Sequence, residues 1–474
     1  MTKKIYLFSL ALVAIICFAP IYSYAKDKQA KYVFYFIGDG MGVNQVNGTE
    51  MYMGELEGII GTKPLCFASF PVATVATSYS AFNGVTDSAA GGTALATGEK
   101  TKNHTIGMDK ERKEAVYSVA AKAKQAGKKV GITTSVSIDH ATPASFYAHQ
   151  PERHMYYEIA CEIPKAGFDF YAGSGFIEPV SKKDPKAVNV YDLLDKNGYI
   201  VAKGYNEFNN KYAKASKMVM TATEDANQES IPFAIDRKPG DLTLSQITES
   251  AIRFLTKDND GKGFFLMVEG GKIDWACHGN DAATAFKEVM DMDEAVRLAY
   301  DFYKQHPDET LIVITADHET GGIVLGKGPY ELNLKALANQ KVSQGELSNK
   351  IGALRKAKSN KVSWEDIQAL LKENMGFWDA VQLNEKQEKL LKDEYERSFA
   401  GKAVELKESE YFKDEPMAAV AKEILNDIAL VGWVSGGHSD GYVPVFAVGA
   451  GSDLFHGRMD NTDIPKNIIK AAGY

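Results

Sequence analysis

Acidic residues and a histidine follow three strand-like segments of this chain of 474 residues. Asp39 comes shortly after the first apolar segment, Glu269 directly follows the second, and Asp317 and His318 come just after the third. Carboxylates and imidazoles are the usual ligands of zinc and of harder divalent cations in hydrolytic sites. Because the carboxyl ends of parallel strands meet at one edge of a sheet, the sequence predicts a metal cluster there. Glycines around Asp39 would let its carboxylate crowd a metal.

Two further candidate ligand segments lie elsewhere in the chain. Asp274 and His278 are four residues apart, which is one turn of a helix, so both side chains can face one ion. His438 follows a serine and two glycines, which leave room for a close approach to a metal. A single acid–histidine pair is usually a satisfied core pair, but several such elements in one chain favour a metal site. Cys277 is a less favoured ligand than its neighbours, because thiolates are a minority choice in hydrolytic zinc sites.

Ser88 is the candidate nucleophile, and it opens a run of small residues that suits the start of a helix. A serine hydroxyl attacks poorly near neutral pH unless a base, a metal or a helix N-terminus activates it. We expect Thr86 to cap this helix, whose dipole favours an incoming anion such as phosphate. No Gly-x-Ser-x-Gly elbow is present, which disfavours a triad of the α/β-hydrolase type. The alternative is that Ser88 simply begins a helix and has no catalytic role.

Apolar runs rich in β-branched residues alternate with helical patterns along the chain, which predicts a fold of the α/β class. The helical pattern is clear in residues 286–303, where apolar residues recur at spacings of three and four. We expect a central, mostly parallel sheet with helices on both faces. Its strands are predicted at residues 32–37, 130–134, 264–268, 311–315 and 443–448. Residues from about 328 to 430 are richer in charge, and they are predicted to form a helix-rich insertion, a crown- or cap-like lobe.

The N-terminal 25 residues have the pattern of a secretory signal peptide, with lysines before an apolar stretch and a cleavage site ending at Ala25. An uncleaved membrane anchor is the alternative, disfavoured because the apolar run is shorter than the usual span of about 20 residues. A lipoprotein attached through Cys17 is disfavoured further, since small residues do not precede that cysteine. Residues 26–474 are predicted to be the mature domain, secreted or periplasmic and without a transmembrane segment.

The composition suits a globular enzyme, with 45% hydrophobic and 24% charged residues. The formal net charge of -8 and the lack of a basic, aromatic-rich stretch argue against a nucleic-acid surface. A small anionic substrate would therefore need local positive charge, from metals or from one placed arginine. Cys66, Cys161 and Cys277 are an odd number and lie far apart in the sequence, so they define neither a disulfide framework nor a cysteine-based zinc site.

In their order along the chain, these motifs resemble those of alkaline phosphatases of the secreted bacterial and animal type. The resemblance runs from about residue 31 to the C-terminus and is weakest in the expected insertion. It is carried by the segments Gly38–Gly42, Thr86–Ala90, Ala141–Ala144, Glu269–His278, Asp317–His318, His438 and Asp460–Asp463. It implies a phosphomonoester hydrolase that acts through a phosphoserine intermediate at a site of two zinc ions and one magnesium ion, releasing inorganic phosphate.

The resemblance also implies which residues hold each ion. It assigns a first zinc to Asp274, His278 and His438, a second zinc to Asp39, Asp317, His318 and the Ser88 alkoxide, and magnesium to Asp39, Thr142 and Glu269. His140 stands where many bacterial members have an aspartate, so it is a further candidate ligand of the third ion. Because imidazole is a softer ligand than carboxylate, magnesium would be held more weakly there and zinc could compete.

Two residues near the expected phosphate site are also interpreted through the resemblance. Arg153 matches the arginine that clamps the substrate phosphate, and Asp87 matches the residue that orients it. A guanidinium suits this task because its fork meets two phosphate oxygens at once. Trp275 stands where other members have a lysine or a histidine, which removes a positive charge and should loosen product binding.

The sequence also leaves alternatives to a phosphomonoester hydrolase. A phosphodiesterase of the same superfamily would use the same scaffold, although such enzymes tend to lack an arginine like Arg153. A sulfatase is disfavoured, since no arginine follows Ser88 in the pattern that sulfatases need. A catalytically inactive periplasmic protein that binds phosphate or zinc is the alternative from another class. A monomer and a homodimer are both compatible with the sequence.

Overall fold

The computed structural model describes residues 29–399, 404, 406–408, 411 and 413–474. The predicted signal peptide, residues 1–25, lies outside the described residues. The strands, named β1 to β16 in chain order, are Tyr32–Gly38, Val72–Thr77, Lys129–Thr134, Phe170–Ala172, Tyr199–Lys203, Lys217–Thr221, Phe264–Gly270, Thr310–Thr315, Glu319–Thr320, Val324–Leu325, Lys407–Glu408, Lys413–Asp414, Val431–Gly432, His438–Ser439, Val443–Gly449 and Met459–Asp460.

Ten of these strands form one sheet in the order β16-β2-β15-β8-β1-β7-β3-β4-β6-β5. From β8 to β5, adjacent strands run parallel to each other, whereas β15 runs antiparallel to both β8 and β2. Residues of both faces are buried along β1, β7 and β8, so the sheet is covered on both sides. The predicted α/β fold with a mostly parallel central sheet is confirmed.

The helices account for this burial. The α-helices, named α1 to α16 in chain order, are Val43–Leu56, Ser88–Thr97, Val119–Gln125, Ala141–Ala144, Tyr156–Ala160, Ile163–Ala166, Val190–Lys196, Gly204–Lys211, Leu244–Thr256, Lys272–His278, Ala282–Gln305, Gln344–Ala357, Trp364–Met375, Glu385–Phe399, Pro416–Ile428 and Asp463–Ala472. Helix α11 has the predicted periodicity, since Phe286, Val289, Met292 and Val296 are all buried. It packs on the sheet beside α9, while α3 and α16 also contact the central strands.

The register of the central strands brings the expected metal ligands together. Glu269 near the end of β7 lies opposite Ile37 of β1, and Ile37 also lies opposite Thr315 of β8. Asp39 follows β1 directly, and Asp317 comes two residues after β8. These carboxylates therefore share one edge of the sheet, as the strand-end pattern predicts.

Five strands of the sheet, β2, β4, β5, β6 and β16, lie outside the segments expected from the sequence. β4 and β16 have only three and two residues, too few to show a pattern. β2 is partly exposed, and threonines interrupt its apolar residues. β5 and β6 contain short apolar runs, residues 199–202 and 218–220, that the sequence analysis did not assign to strands. Pairing with neighbouring strands, which local sequence does not report, decides these elements.

Residues 328–430, expected to form an inserted lobe, are mostly helical where the structure describes them, and they contain α12 to α15. Their apolar side chains form a second buried cluster that continues onto Tyr52 of α1 and Phe286 of α11. That this segment is an insertion into the domain stays a prediction. Among the described residues, no helix has both the length and the apolar character that crossing a membrane requires.

Candidate metal centre and nucleophile

The first group of candidate ligands is Asp274, His278 and His438, whose ligand atoms lie within 4.8 Å of one another. The two residues of α10 are one helical turn apart, and His438 begins β14. His278 Nδ1 lies 2.6 Å from the Gly436 carbonyl oxygen, and His438 Nδ1 lies 2.8 Å from that of Thr86. These carbonyls favour protonation at Nδ1, so each Nε2 keeps the lone pair that a metal needs.

The second group is Asp39, Asp317 and His318, which are fully buried with their ligand atoms again within 4.8 Å. His318 Nε2 lies 3.3 Å from Asp39 Oδ1 and 3.2 Å from Asp317 Oδ2. Ser88 Oγ lies 3.2 Å from the same His318 nitrogen. Since Ser88 is the first residue of the buried helix α2, the structure brings its hydroxyl to a helix N-terminus beside this group.

The third group is Asp39, His140 and Glu269. Thr142 belongs beside it, because its Oγ1 donates a hydrogen bond to Asp39 Oδ2 at 3.3 Å. Burial, followed by the charge of Arg153, lowers the pKa of His140 to about 3, so this imidazole is neutral and can act as a ligand. A ligand atom of His140 lies within 4.8 Å of those of Asp39 and Glu269, so His140 can hold the third ion together with the residues that the resemblance assigns to it.

Several ligand atoms of these groups are buried without a hydrogen-bond partner among the residues that the structure describes. They are Asp39 Oδ1, His140 Nδ1, Glu269 Oε1, Asp274 Oδ2 and Asp317 Oδ2. A buried polar atom left unpaired costs about 1–3 kcal/mol, and a buried charge costs more. Divalent cations would supply both a partner for each orphaned atom and the missing positive charge. The residues present therefore fit a metal cluster.

The charges of the centre point the same way. Burial, reinforced by Asp317 and Asp274, raises the pKa of Asp39 well above its usual range, and burial likewise raises that of Glu269 to about 7. The pKa of Asp274 shifts in the opposite direction. Burial raises it, but the His278 and His438 imidazoles together lower it by more, so the pKa of Asp274 is depressed. The carboxyl groups of Asp39 and Glu269 thus lack enough nearby positive charge to stabilise their ionised forms, whereas histidines supply it around Asp274.

Asp87 joins helix α2, which begins at Ser88, to Arg153. It is the N-cap of α2, with Oδ1 accepting a hydrogen bond from Ala90 N at 3.0 Å, while Oδ2 lies 3.2 Å from an Arg153 guanidinium nitrogen. The expectation that Thr86 caps this helix is wrong: its hydroxyl instead donates to the Asp87 carbonyl. Asp87 directly precedes the helix, so its carboxylate reaches the third amide of the first turn.

Thr320, which the sequence analysis missed, links the first and second groups. Its Oγ1 donates a hydrogen bond to Asp274 Oδ1 at 2.6 Å and lies 3.1 Å from His318 Nδ1. Gly40, with φ 68°, allows this packing, because a Cβ there would lie 2.7 Å from the same hydroxyl. The sequence signal that could have identified Thr320 is its hydroxyl, two residues after the candidate ligand His318.

Tyr411 is a second residue that the sequence analysis missed. Its ring stacks on that of Trp275, with centroids 4.5 Å apart and planes 11° apart, and lies 5.2 Å from the His278 ring. Burial opposes the charge of Arg153, but the Tyr411 phenol and the Asp87 carboxylate raise the pKa of Arg153. No sequence signal could place it, since Tyr411 is more than 130 residues from Trp275.

Other candidates lie outside the three groups. Cys277 is buried, its Sγ lies 3.9 Å from Gln45 Nε2, and burial raises the pKa of its thiol well above the usual value. Asp139, next to His140, accepts a hydrogen bond from Ile177 N at 3.0 Å and so holds a loop. Within the described residues the cysteines at 66, 161 and 277 are free thiols.

Comparisons with known proteins agree with this geometry. The family model described as alkaline phosphatase matches residues 30–172 and 181–474. Alkaline phosphatase 3 of Bacillus subtilis (strain 168) is 32% identical over 458 residues, covering 95% of this chain and 90% of that protein.

Two solved structures are also similar. The cold-active alkaline phosphatase of the psychrophile Shewanella sp. is 27% identical with a TM-score of 0.78, covering 93% of this chain and 99% of that one. A variant of the alkaline phosphatase of the Antarctic bacterium TAB5, with a histidine replaced by glutamate and magnesium bound in its M3 site, is 26% identical with a TM-score of 0.63, covering 94% and 99%. The resemblance seen in the sequence is confirmed. With the family model matching nearly its whole length, this chain belongs to the alkaline phosphatase family of metal-dependent phosphomonoesterases.

Proposed function

We propose that this enzyme hydrolyses phosphomonoesters through a phosphoserine formed on Ser88, at a centre of two zinc ions and one magnesium ion. The observation that carries the proposal is the position of Ser88 Oγ, 3.2 Å from His318 Nε2 at the N-terminus of α2. A hydroxyl placed there can be activated both by the helix dipole and by a metal held at the second group.

The ligand sets support the choice of ions. Zinc would be held at the first group, Asp274, His278 and His438, and at the second, Asp39, Asp317 and His318. Both sets contain imidazole nitrogen, which suits zinc, whereas carboxylate and hydroxyl oxygens suit magnesium. Magnesium would be held by Asp39, Glu269 and Thr142, and His140 gives this third position a nitrogen that favours zinc as a competitor. When bound, the ions lower the pKa of the serine hydroxyl and neutralise charge on the departing alcohol.

The residues of the chain perform the remaining tasks. Ser88 Oγ attacks phosphorus as the alkoxide, the bond from phosphorus to the alcohol oxygen breaks in line, and the alcohol leaves. Water then attacks phosphorus in the phosphoserine, which releases inorganic phosphate and restores Ser88. Arg153 binds two phosphate oxygens through its guanidinium fork, and Asp87 fixes the orientation of that fork.

Location follows from the N-terminal pattern. The signal-peptide motif of residues 1–25 supports export, so the mature enzyme would begin after Ala25 and act in the periplasm or outside the cell. Its substrates would be small phosphomonoesters that reach that compartment.

Trapping the intermediate tests the proposal. The enzyme is mixed with p-nitrophenyl phosphate, quenched in acid and digested, and the peptide that contains Ser88 is examined by mass spectrometry. We expect this peptide to gain the mass of one phosphoryl group during turnover. Turnover without that modification, or turnover near the wild-type rate in Ser88→Ala, would refute the proposed mechanism.

A further inference from the structure

A cavity of about 580 Å³ lies between the sheet domain and the helices of residues 328–430. Trp275 and Tyr411 line one side of it, and α12 contributes Ser343, the residue that caps it, together with Glu346 and Asn349. The opposite side comes from the loop that includes Glu229 and Asp236. We name this space the lobe cavity, because residues from both parts of the chain line it.

The lobe cavity borders the candidate metal centre through two stacked rings. Trp275 directly follows the candidate ligand Asp274, and Tyr411 covers the Trp275 ring at 4.5 Å. The Tyr411 ring lies 5.2 Å from the ring of His278 and 6.5 Å from that of His140. Tyr411 therefore lines the cavity on one side and lies beside two candidate metal ligands on the other. A substrate held at the centre would therefore meet this aromatic wall.

The wall is on the side from which the alcohol departs. Ser88 lies beside His318 of the second group, whereas Tyr411 lies beside His278 of the first group. In an in-line displacement the leaving oxygen is opposite the attacking one. The alcohol portion of a phosphomonoester attacked by Ser88 therefore extends toward the first group, where Trp275 and Tyr411 open onto the lobe cavity.

The charges of the lobe cavity restrict what it can accept. Its carboxylates are those of Glu229, Asp236, Asp241 and Glu346, against the ammonium groups of Lys238 and Lys272. Lys272 is only 4% exposed, and its Nζ donates to Ser230 Oγ at 3.0 Å, 3.5 Å from the Phe233 ring centroid. With one of its two cations so enclosed, the cavity repels an alcohol that carries negative charge.

Part of the remaining lining suits hydroxyl groups, beside the apolar side chains of Ile231, Pro232 and Phe233. Carboxylates accept hydrogen bonds, and the amides of Asn227 and Asn349 can both donate and accept them. An aromatic ring such as that of Tyr411 adds an apolar face for the carbon–hydrogen side of a ring.

We infer that the lobe cavity binds the alcohol portion of the substrate and selects an uncharged, polyhydroxylated alcohol, such as the sugar of a sugar phosphate. This inference rests on the proposed function, since it assumes attack by Ser88. It gives residues 328–430, which the sequence predicts only as a helix-rich insertion, a role in substrate choice.

A matched pair of substrates tests the inference. Glucose 6-phosphate and 6-phosphogluconate have the same number of carbons and the same ester position, but the second carries a carboxylate and is open-chained. Sorbitol 6-phosphate, which is open-chained and has an uncharged alcohol, is the control for loss of the ring and should be hydrolysed like glucose 6-phosphate. For the wild-type enzyme we expect kcat/KM to be about tenfold higher for glucose 6-phosphate, corresponding to roughly 1.4 kcal/mol of discrimination. Equal kcat/KM values for the two would overturn the inference.

Reversing a charge in α12 tests whether the preference between the two substrates arises in the lobe cavity. Glu346→Lys should reduce the preference for glucose 6-phosphate at least threefold, because it places a cation in the lining. Glu365→Lys is the matched control: Glu365 is also in the first turn of a helix, α13, but is exposed and outside the cavity. We expect it to leave the preference unchanged. The same change in both variants would show a long-range charge effect and would overturn the inference.

Methyl phosphate separates this inference from the proposed function, because its methyl group is too short to reach the lobe cavity from the metal centre. If methyl phosphate is hydrolysed with phosphorylation of Ser88 and the sugar pair is not discriminated, only the inference fails. Tyr411→Ala should lower kcat/KM for glucose 6-phosphate several-fold more than for methyl phosphate. An equal loss for both would show that Tyr411 supports only Arg153, and would contradict its role as a cavity wall.

Discussion

Asp87 Oδ2 lies 3.2 Å from the Arg153 guanidinium, while Oδ1 of the same carboxylate caps helix α2 immediately before Ser88. One side chain therefore fixes both the helix of the proposed nucleophile and the arginine that would bind phosphate. Arg153 is only 6% exposed, so its orientation depends on this contact and not on solvent. Disturbing the cap and disturbing the clamp can be separated by choosing the substitution.

Asp87→Asn should weaken phosphate binding while leaving helix α2 capped, because asparagine is a good N-cap but carries no charge to hold Arg153. We expect the inhibition constant for inorganic phosphate to rise about tenfold, with the unfolding free energy nearly unchanged. Asp87→Ala, which also loses the cap, should lose about 1 kcal/mol of stability in addition. Equal stabilities for the two variants would contradict the capping role.

Arg153→Lys should behave more like Arg153→Ala than like wild type, because an ammonium cannot span two phosphate oxygens. Loss of a charge-assisted bidentate contact worth about 1.5–3 kcal/mol predicts phosphate inhibition weaker by roughly 10- to 100-fold. Zinc content, measured by elemental analysis, should stay constant in both variants. A lysine variant with wild-type phosphate affinity would show that another cation holds the substrate.

Thr320→Val should reduce zinc affinity by roughly 10- to 100-fold, since the lost hydroxyl orients Asp274 and His318. Valine has nearly the same shape, so the effect would come from the hydrogen bonds. Thr320→Ser keeps the hydroxyl and is the control, with affinity near wild type. Competition with a chromophoric chelator measures this without relying on turnover, and unchanged zinc affinity in the valine variant would exclude the linking role.

Glu269→Gln should alter the pH dependence of stability in the metal-free protein. Burial raises the pKa of Glu269 from 4.5 to about 7, so its contribution to stability is fully present below pH 4.5 and is lost as pH rises through 7. Glutamine does not titrate, so the stability of wild type relative to the variant should fall across this window by up to about 3 kcal/mol. Urea unfolding in the presence of chelator measures the difference, and a constant difference from pH 4.5 to 7 would contradict the assignment.

Much of the fold and the centre could be predicted because the relevant signals are local. The apolar run of β1 followed by Asp39, and the spacing of Asp274 and His278, are readable from a few adjacent residues, and the parallel sheet then brings them together. The glycines around Asp39 were expected to let its carboxylate crowd a metal, and Gly40 is crowded in the structure by the side chains of Thr320 and Asp274.

The residues that escaped prediction are those set by tertiary contact. Tyr411 reaches the centre only because its segment folds back onto Trp275, and no nearby residue signals that return. Thr86 was the preferred cap because threonine favours that position, yet Asp87 stands one residue nearer to the helix and takes it. The short strand β4 is specified by pairing with β3 and β6, not by its own three residues.

Titration of the metal-free enzyme with zinc, following both bound zinc and hydrolysis of p-nitrophenyl phosphate, tests the central claim most directly. Chelation should abolish activity, because Ser88 then lacks the cation that activates it. Activity should return only as zinc fills the first and second groups, and magnesium added afterwards should raise it further. Full recovery with magnesium alone, or full activity with neither ion bound, would contradict a zinc centre that activates Ser88.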